Sequence, residues 1–333
     1  MKNNPVATVK VSRGGLVENI HQVDIVVSDA EGGIVEAWGD VDRPVFPRSS
    51  IKALQALPLV ESGAADKYGF GSQHLALACS SHHAEFFHVA SVRQMFKKAG
   101  ISEQCLECGP QMPRDSSERK KIQEGEEELS SIHNGCSGKH AGFLAFAEHA
   151  GLDKSSYTKI TSQVQKEIAN VLQEVVATPH TEKNHGIDGC AIPTYQIPLS
   201  KLALAYAKFG VGEADGRLRS SAMIKLRDAC CKHPEMVAGT LGACTRIMQA
   251  MDKRVFVKYG AEGVYTAALP ELGFGIALKV RDGNAKAAET TIASLATRLL
   301  ELDQREHEGL TPIRESVLKN WSGTITGKMW IDL

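Results

Sequence analysis

The chain of 333 residues carries 38 Lys and Arg against 39 Asp and Glu, a formal net charge of -1. That length allows one large domain or two smaller ones with a sizeable core. So even a balance offers no concentrated basic face for nucleic acid and no attraction to an anionic membrane. The opening MKNNPVATVKVSRGG lacks an apolar stretch of the about 7–15 residues that a secretory signal needs. The longest apolar runs, such as residues 202–207, fall far short of a bilayer span. A chain that starts near Met1 and stays in the cytoplasm is expected, with no membrane partner. Its eight cysteines are too few for a disulfide-stapled scaffold and are expected as thiols. Cys105 and Cys108 form a lone CxxC followed at once by Gly109-Pro110. Zinc would need two further ligands at matching spacing, so the pair reads as a turn with buried thiols.

Three short β-branched runs come first, at residues 7–11, 23–28 and 34–38, the last two joined by Asp29-Ala-Glu-Gly-Gly33 as a hairpin loop. After Pro44-Val-Phe-Pro47, Ser49 and Ser50 can cap a short helix from about Ile51, which Pro58 stops early. From residue 84 to 251 the pattern is mainly helical, with Phe86, Val89, Val92 and Phe96 at helical spacing and further segments at 161–176, 202–209, 222–231 and 241–251. Residues 114–128 are dense in charge and read as a solvated loop or exposed helix. Strands return at 254–258, 263–267 and 274–280, and two helices, 285–302 and 312–321, close the chain. The expected fold class is α+β. A mainly antiparallel sheet is built from N- and C-terminal segments, and 84–251 forms a helical subdomain inserted within a single domain spanning 1–333. Nucleotide binding has no support: no G-x-G-x-x-G follows a strand. Gly135-Cys-Ser-Gly138-Lys139 fails as a phosphate loop, since His133 and His140 occupy positions that need Gly and Ser or Thr.

Chemistry concentrates in a few stretches. In Ser49-Ser-Ile-Lys52 a serine at a helix start has a lysine almost one turn on, on the same face. A serine hydroxyl is a poor nucleophile unless a base adjoins it, and a desolvated lysine can be that base. N–H groups of the first turn would point at the developing oxyanion. The spacing is common, however, in capped surface helices. Lys258-Tyr-Gly260 partly matches the strand-end K-T-G that accompanies S-x-x-K in serine acyl-transfer enzymes, with Tyr259 in place of threonine. Ala78-Cys-Ser-Ser81-His82-His83 offers a second serine, and Ser81 with Lys258 would make a second Ser–Lys pair. The residues alone favour a capped helix start there. His82, His83 and Glu85 as metal ligands lack an accompanying H-E-x-x-H. Finally, His133-Asn-Gly-Cys136-Ser-Gly-Lys139-His140 and His185-Gly-Ile-Asp188-Gly-Cys190 each set a cysteine among glycines. Zinc and packed free thiols are equally open readings of that pair of stretches.

Several segments together resemble the rhizobial-type, or thermolabile, L-asparaginase II family. They are Arg13-Gly-Gly-Leu-Val-Glu-Asn-Ile-His21, Phe46-Pro-Arg-Ser-Ser-Ile-Lys52, Ala78-Cys-Ser-Ser-His-His-Ala-Glu85, Cys108-Gly-Pro110, the stretch from His133 to Gly142, Asp188-Gly-Cys190 and Lys258-Tyr-Gly-Ala-Glu-Gly-Val264. The resemblance implies a fold like that of glutaminases and serine β-lactamases. It implies Ser49 with Lys52 and Ser81 with Lys258 as catalytic residues, and zinc on Cys136, Lys139 and Cys190 in a supporting role. It further implies a homodimer acting on L-asparagine, with Arg48, His140 and Asp188 as substrate-binding candidates. A glutaminase runs the same chemistry on one more methylene. A penicillin-recognising enzyme shares the Ser–Lys logic but sits poorly with a cytoplasmic chain. An inactive small-molecule sensor would explain Tyr259, against the presence of both serines and both lysines.

Overall fold

A computed structural model describes residues 3–333, which divide into two compact units. The first comprises Met1–Ser50, Ile197–Glu213 and Arg246–Leu333. Its nine-stranded sheet runs Ser316–Lys319, Ile325–Ile331, Ala7–Arg13, Leu16–Asp29, Phe274–Val280, Val264–Leu269, Phe256–Gly260. Ile34–Trp38 pairs with Leu16–Asp29 and carries Asn3–Asn4 parallel to it, while the other pairings are antiparallel. The chain ends therefore share one sheet, as two groups of strands separated by a helical stretch predict.

The runs at 7–11 and 23–28 are parts of one hairpin. Gly14 and Gly15, at φ 56° and 86°, turn Ala7–Arg13 directly into the long strand Leu16–Asp29. All six residues of Val264–Leu269 are buried, because helices Leu199–Val211 and Ala285–Leu299 both pack on that strand. Covering both faces explains its unbroken apolar run. Gly275 lets Leu199–Val211 come close, since a Cβ there would lie 2.1 Å from Ala203 O and Ala207 N.

The helix expected at 312–321 is not formed. Helix Gln304–Arg314 ends just past Pro312, and Ser316–Lys319 and Ile325–Ile331 follow as a strand pair. Asn320 Oδ1 accepts from the backbone N–H of Ser322 and Thr324, and Gly323 takes φ 84°. A side-chain-stabilised turn of this kind outcompetes helix continuation.

Asp24, fully buried on the long strand, accepts from Arg281 at 2.9 and 2.7 Å and from Asp40 N at 2.9 Å, with Arg43 at 3.5 Å. Asp24→Ala takes the acceptor away from these donors. The expected loss is about 3 kcal/mol, the low end for a broken buried pair because Arg281 is a third exposed. A lower urea midpoint at unchanged slope would register it.

The second unit comprises Ile51–Gln196 and Ala214–Thr245 and is mainly helical. It starts ahead of the helical periodicity read from residue 84, because Lys52–Gln55, Leu57–Glu61, Ala64–Lys67 and Ser72–Ala78 are helices too short to show a period. The charge-dense stretch holds the exposed helix Ser116–Gln123, whose N-cap Asp115 accepts from Ser117 N and Glu118 N. At its centre lies Ser137–Ala150, a helix buried from Ser137 through Ala147. It packs against Ser72–Ala78.

Candidate active site

Lys52 begins the short helix Lys52–Gln55 and is fully buried. Its Nζ lies 2.5 Å from Ser80 O, 2.8 Å from Ser81 Oγ and 3.2 Å from Cys136 Sγ. The helix-start spacing predicts Ser49 as its partner. Those three neighbours instead fill the three positions that an amine nitrogen offers.

Ser80 and Ser81 stand just past the C-terminus of helix Ser72–Ala78, so the apolar run before them is the end of a helix. Backbone bonds fix the segment: Ser80 N to Leu77 O at 3.0 Å, Ser81 N to Val237 O at 2.8 Å and His82 N to Gly135 O at 3.0 Å. The Ser81 N–H is thereby committed and is no oxyanion donor, and Ser50 N is likewise bound to Pro47 O. Two glycines admit the opposite wall. A Cβ on Gly135 would sit 2.7 Å from His82 O, and one on Gly138 would sit 2.4 Å from Leu77 O.

That wall carries Cys136 at the N-cap of helix Ser137–Ala150. Its thiol is held well below the ordinary range by a hydrogen bond from Cys190, which outweighs burial, with the Lys52 and Lys139 charges adding. The helix N-terminus favours the same ionisation. Cys190 moves the other way, pushed up by its bond to Cys136 and by burial. The two sulfurs thus share one negative charge. Lys139, fully buried, donates to Cys190 Sγ at 3.1 Å. Burial works against its charge, but Cys190, Cys136 and Asp188 together raise its pKa. Cys190 lies in the tight turn between strands His185–Ile187 and Pro193–Tyr195, where Asp188 N donates to Ile192 O and Ala191 takes φ 72°. Asp188 Oδ1 accepts from Gly189 N at 2.8 Å.

The zinc site expected on Cys136, Lys139 and Cys190 is not supported. Among the described residues no group of three or more His, Cys, Asp or Glu is arranged to hold a metal ion. The donor set explains why. Zinc takes four ligands, and a lysine must be neutral to be one. Here two sulfurs face an ammonium that spends its proton on Cys190. The readable feature was two cysteines in Gly-rich loops, and packed thiols beside lysines satisfy it equally. His82 and Glu85 are engaged as well, His82 with Ser137 Oγ at 2.9 Å and Glu85 with Thr240 N at 2.8 Å. The CxxC is a turn with free thiols, and Cys108 is pushed up to about 12, chiefly by burial.

His140, the next residue on the central helix, is fully buried, and its Nδ1 lies 2.6 Å from Tyr157 Oη. Burial first, then the Lys139 and Lys52 charges, pushes its pKa well below the ordinary histidine range. Sequence reasoning missed Tyr157 and the Glu107 that supports it. Neither belongs to a motif, and Tyr157 sits in the polar stretch Ser155-Ser-Tyr-Thr158, which gives no signal of a buried ring.

In the sheet unit, Arg48 and Ser49 are half-buried in the turn Arg48–Ile51, with Arg48 at φ 51°. Ser50 is buried. Its carbonyl accepts from Tyr206 Oη and, at 3.2 Å, from Thr266 Oγ1. Lys258 is fully buried on strand Phe256–Gly260 and donates to Tyr259 O at 2.9 Å, with Nζ 4.1 Å from the Tyr259 ring centre. A Cβ on Gly260 would lie 2.5 Å from Pro47 O and 3.1 Å from Ser50 N. That glycine is what lets the Lys258-Tyr-Gly strand end close on the serine turn, so the two motifs are neighbours.

The search of curated proteins finds no match. Among solved structures, "Crystal Structure Analysis of Mglu in its native form" is similar at 14% identity and TM-score 0.40, over 85% of this chain and 65% of that chain. "Crystal Structure Analysis of Mglu" is similar at 14% identity and TM-score 0.39, over 85% of this chain and 69% of that one. This chain thus spans just under two thirds of the length of the first. The L-asparaginase II family model matches residues 9–331. That span takes in every motif above, from the Gly14-Gly15 turn to the Lys258 strand, and the chain belongs to the L-asparaginase II family.

Proposed function

We propose that the chain hydrolyses the side-chain amide of free L-asparagine to aspartate and ammonia through a Ser–Lys acyl-enzyme. The observation that carries this reading is the geometry at Lys52. In its reactive, deprotonated form the amine has two N–H groups and one lone pair. Ser80 O and Cys136 Sγ accept the two N–H groups, which leaves the lone pair for the Ser81 hydroxyl proton at 2.8 Å. Lys52 takes that proton as Ser81 attacks the amide carbon. It then gives the proton to the departing ammonia, and water releases aspartate by the same route in reverse. Ser49 and Lys258 are the other two catalytic residues of the family's motifs, paired there with Lys52 and Ser81, and Arg48, His140 and Asp188 serve substrate binding.

Ammonia release from asparagine and glutamine side by side tests the substrate. A preference for asparagine of about tenfold or more is expected from the one-methylene difference, and a preference for glutamine would overturn the choice. Mapping the acylated peptide after rapid quenching is expected to place the adduct on Ser81. An adduct on Ser49 would hand the attack to that residue instead.

The wider reading includes a serine β-lactamase/glutaminase-like fold, a homodimer and a cytoplasmic setting. An antiparallel sheet drawing strands from both chain ends supports the first. Exposed Leu16, Val17 and Ile20 at one end of that sheet support the second, and eight free thiols the third. Among the described residues, no helix is long and apolar enough to cross a membrane.

A further inference from the structure

We infer that Tyr157 is a positioning residue that locks His140 as an Nε2–H donor to a carboxylate oxygen of the bound amino acid. Two placements of the shared proton are open to this pair. Tyr157 is fully buried, and its oxygen accepts the Glu107 backbone N–H at 3.1 Å. Its other neighbour is His140 Nδ1 at 2.6 Å, and either group can donate in that contact. If Nδ1–H donates, the phenol oxygen accepts twice, its own O–H has no acceptor among the described residues, and the His140 Nε2 lone pair is buried unused. If the phenol donates, both of its contacts are satisfied and a single group is left over, the Nε2–H. Leaving a buried polar group unmade is costly, so the second arrangement holds.

The leftover group is informative. His140 Nε2 is a buried atom with no hydrogen-bond partner among the described residues, on a ring close enough to Lys52 and Lys139 to feel both charges. A fixed N–H donor beside the Lys139 and Lys52 side chains suits an anionic oxygen. Tyr157 is itself held rigidly. The Glu107 carboxylate accepts from Ser156 N at 2.7 Å and from Thr158 Oγ1 at 2.7 Å, one residue to either side, and Ser162 Oγ donates to Tyr157 O at 3.0 Å. With the chain held on both sides of it and its ring fully buried, Tyr157 keeps its place, and the histidine's tautomer is set to suit the phenol.

This inference rests on the active-site reading above, and its test reads the tautomer without turnover. In the full chain labelled with 15N-histidine, His140 is assigned by the signal lost in His140→Gln. It is expected as the Nε2–H tautomer from pH 6 to 8.5, with Nδ1 unprotonated. Tyr157→Phe is expected to give mixed tautomers, and saturating L-aspartate should shift the wild-type Nε2 signal. An Nδ1–H or doubly protonated ring in the wild type would overturn the lock. An Nε2 signal unmoved by aspartate would overturn the donation, whatever the enzyme does with asparagine. In kinetics, Tyr157→Phe is expected to raise KM about tenfold with kcat within twofold. Gln at 140 presents its amide N–H near the Nε2 position without needing the phenol, so Tyr157→Phe in the His140→Gln background should leave KM within twofold. An equal rise in both backgrounds would make Tyr157 merely structural and overturn the inference.

Discussion

Lys52→Met is expected to lower kcat by about 10²–10⁴, the range that a lost general base produces, in a protein that still folds. Methionine nearly matches the lysine stem in volume, so the fully buried position stays filled. The amine is what disappears, and with it the proton acceptor 2.8 Å from Ser81 Oγ. Ser80 O loses a donor at 2.5 Å, a cost of about 1–3 kcal/mol that leaves most domains folded. KM should move little, because the lysine acts on the serine and on the departing group; the loss then falls on kcat and kcat/KM alike. Circular dichroism and thermal melting check the fold. Lys52→Ala provides a positive control, since added methylamine should restore part of its turnover by occupying the vacated space. A Lys52→Met enzyme within tenfold of wild-type kcat would remove Lys52 from the chemistry.

The contrast between Lys52 and its neighbours shows how far a sequence carries this kind of argument. Ser49-Ser-Ile-Lys52 and Lys258-Tyr-Gly260 are local spacings with a known chemical logic, readable without the fold. The partner of Lys52 was harder to assign. Ser81 is 29 positions away, and Cys136 meets the same amine where Gly135 and Gly138 remove the side chains that would hold its wall off the Leu77–His82 wall. A glycine's role as a point of close approach is invisible until the facing segment is known. The zinc expectation failed for a related reason. Cysteines in Gly-rich turns have the same appearance whether they ligate or pack, and the deciding fact is the proton that Lys139 donates to Cys190. The sheet was legible through its β-branched runs, but its outer hairpin was not. Pro312 suggested a helix start, yet it lies near the end of Gln304–Arg314.

Gly138→Ala is expected to cost both stability and activity, with the sign opposite to that of an ordinary helical glycine. In an exposed helix interior the same change stabilises by about 1 kcal/mol, because alanine loses less backbone freedom on folding. At Gly138 the added Cβ meets Leu77 O at 2.4 Å, Leu77 Cγ at 2.6 Å and Leu77 C at 3.1 Å. Backbone atoms cannot rotate aside, so helices Ser137–Ala150 and Ser72–Ala78 must move apart. Overpacking of this kind costs about 1–3 kcal/mol, and more where the obstacle is main chain. The separation also reaches the chemistry. Cys136 caps the helix that carries Gly138 and Lys139, and Ser80 and Ser81 stand just past the end of the helix that carries Leu77. The 2.8 Å contact between Lys52 and Ser81 and the 3.2 Å contact with Cys136 therefore cannot both persist. Gly142→Ala is the control: its Cβ would meet the Ala78 Cβ and Leu59 Cδ2 at 3.3 Å, an overlap of a few tenths of an ångström that Leu59 can relieve by rotating and that involves no main-chain atom. The expected order is a lower melting temperature and at least a tenfold lower kcat for Gly138→Ala, with Gly142→Ala near wild type in both. Equal behaviour of the two variants would show that the approach of the two helices does not set the Lys52–Ser81 geometry.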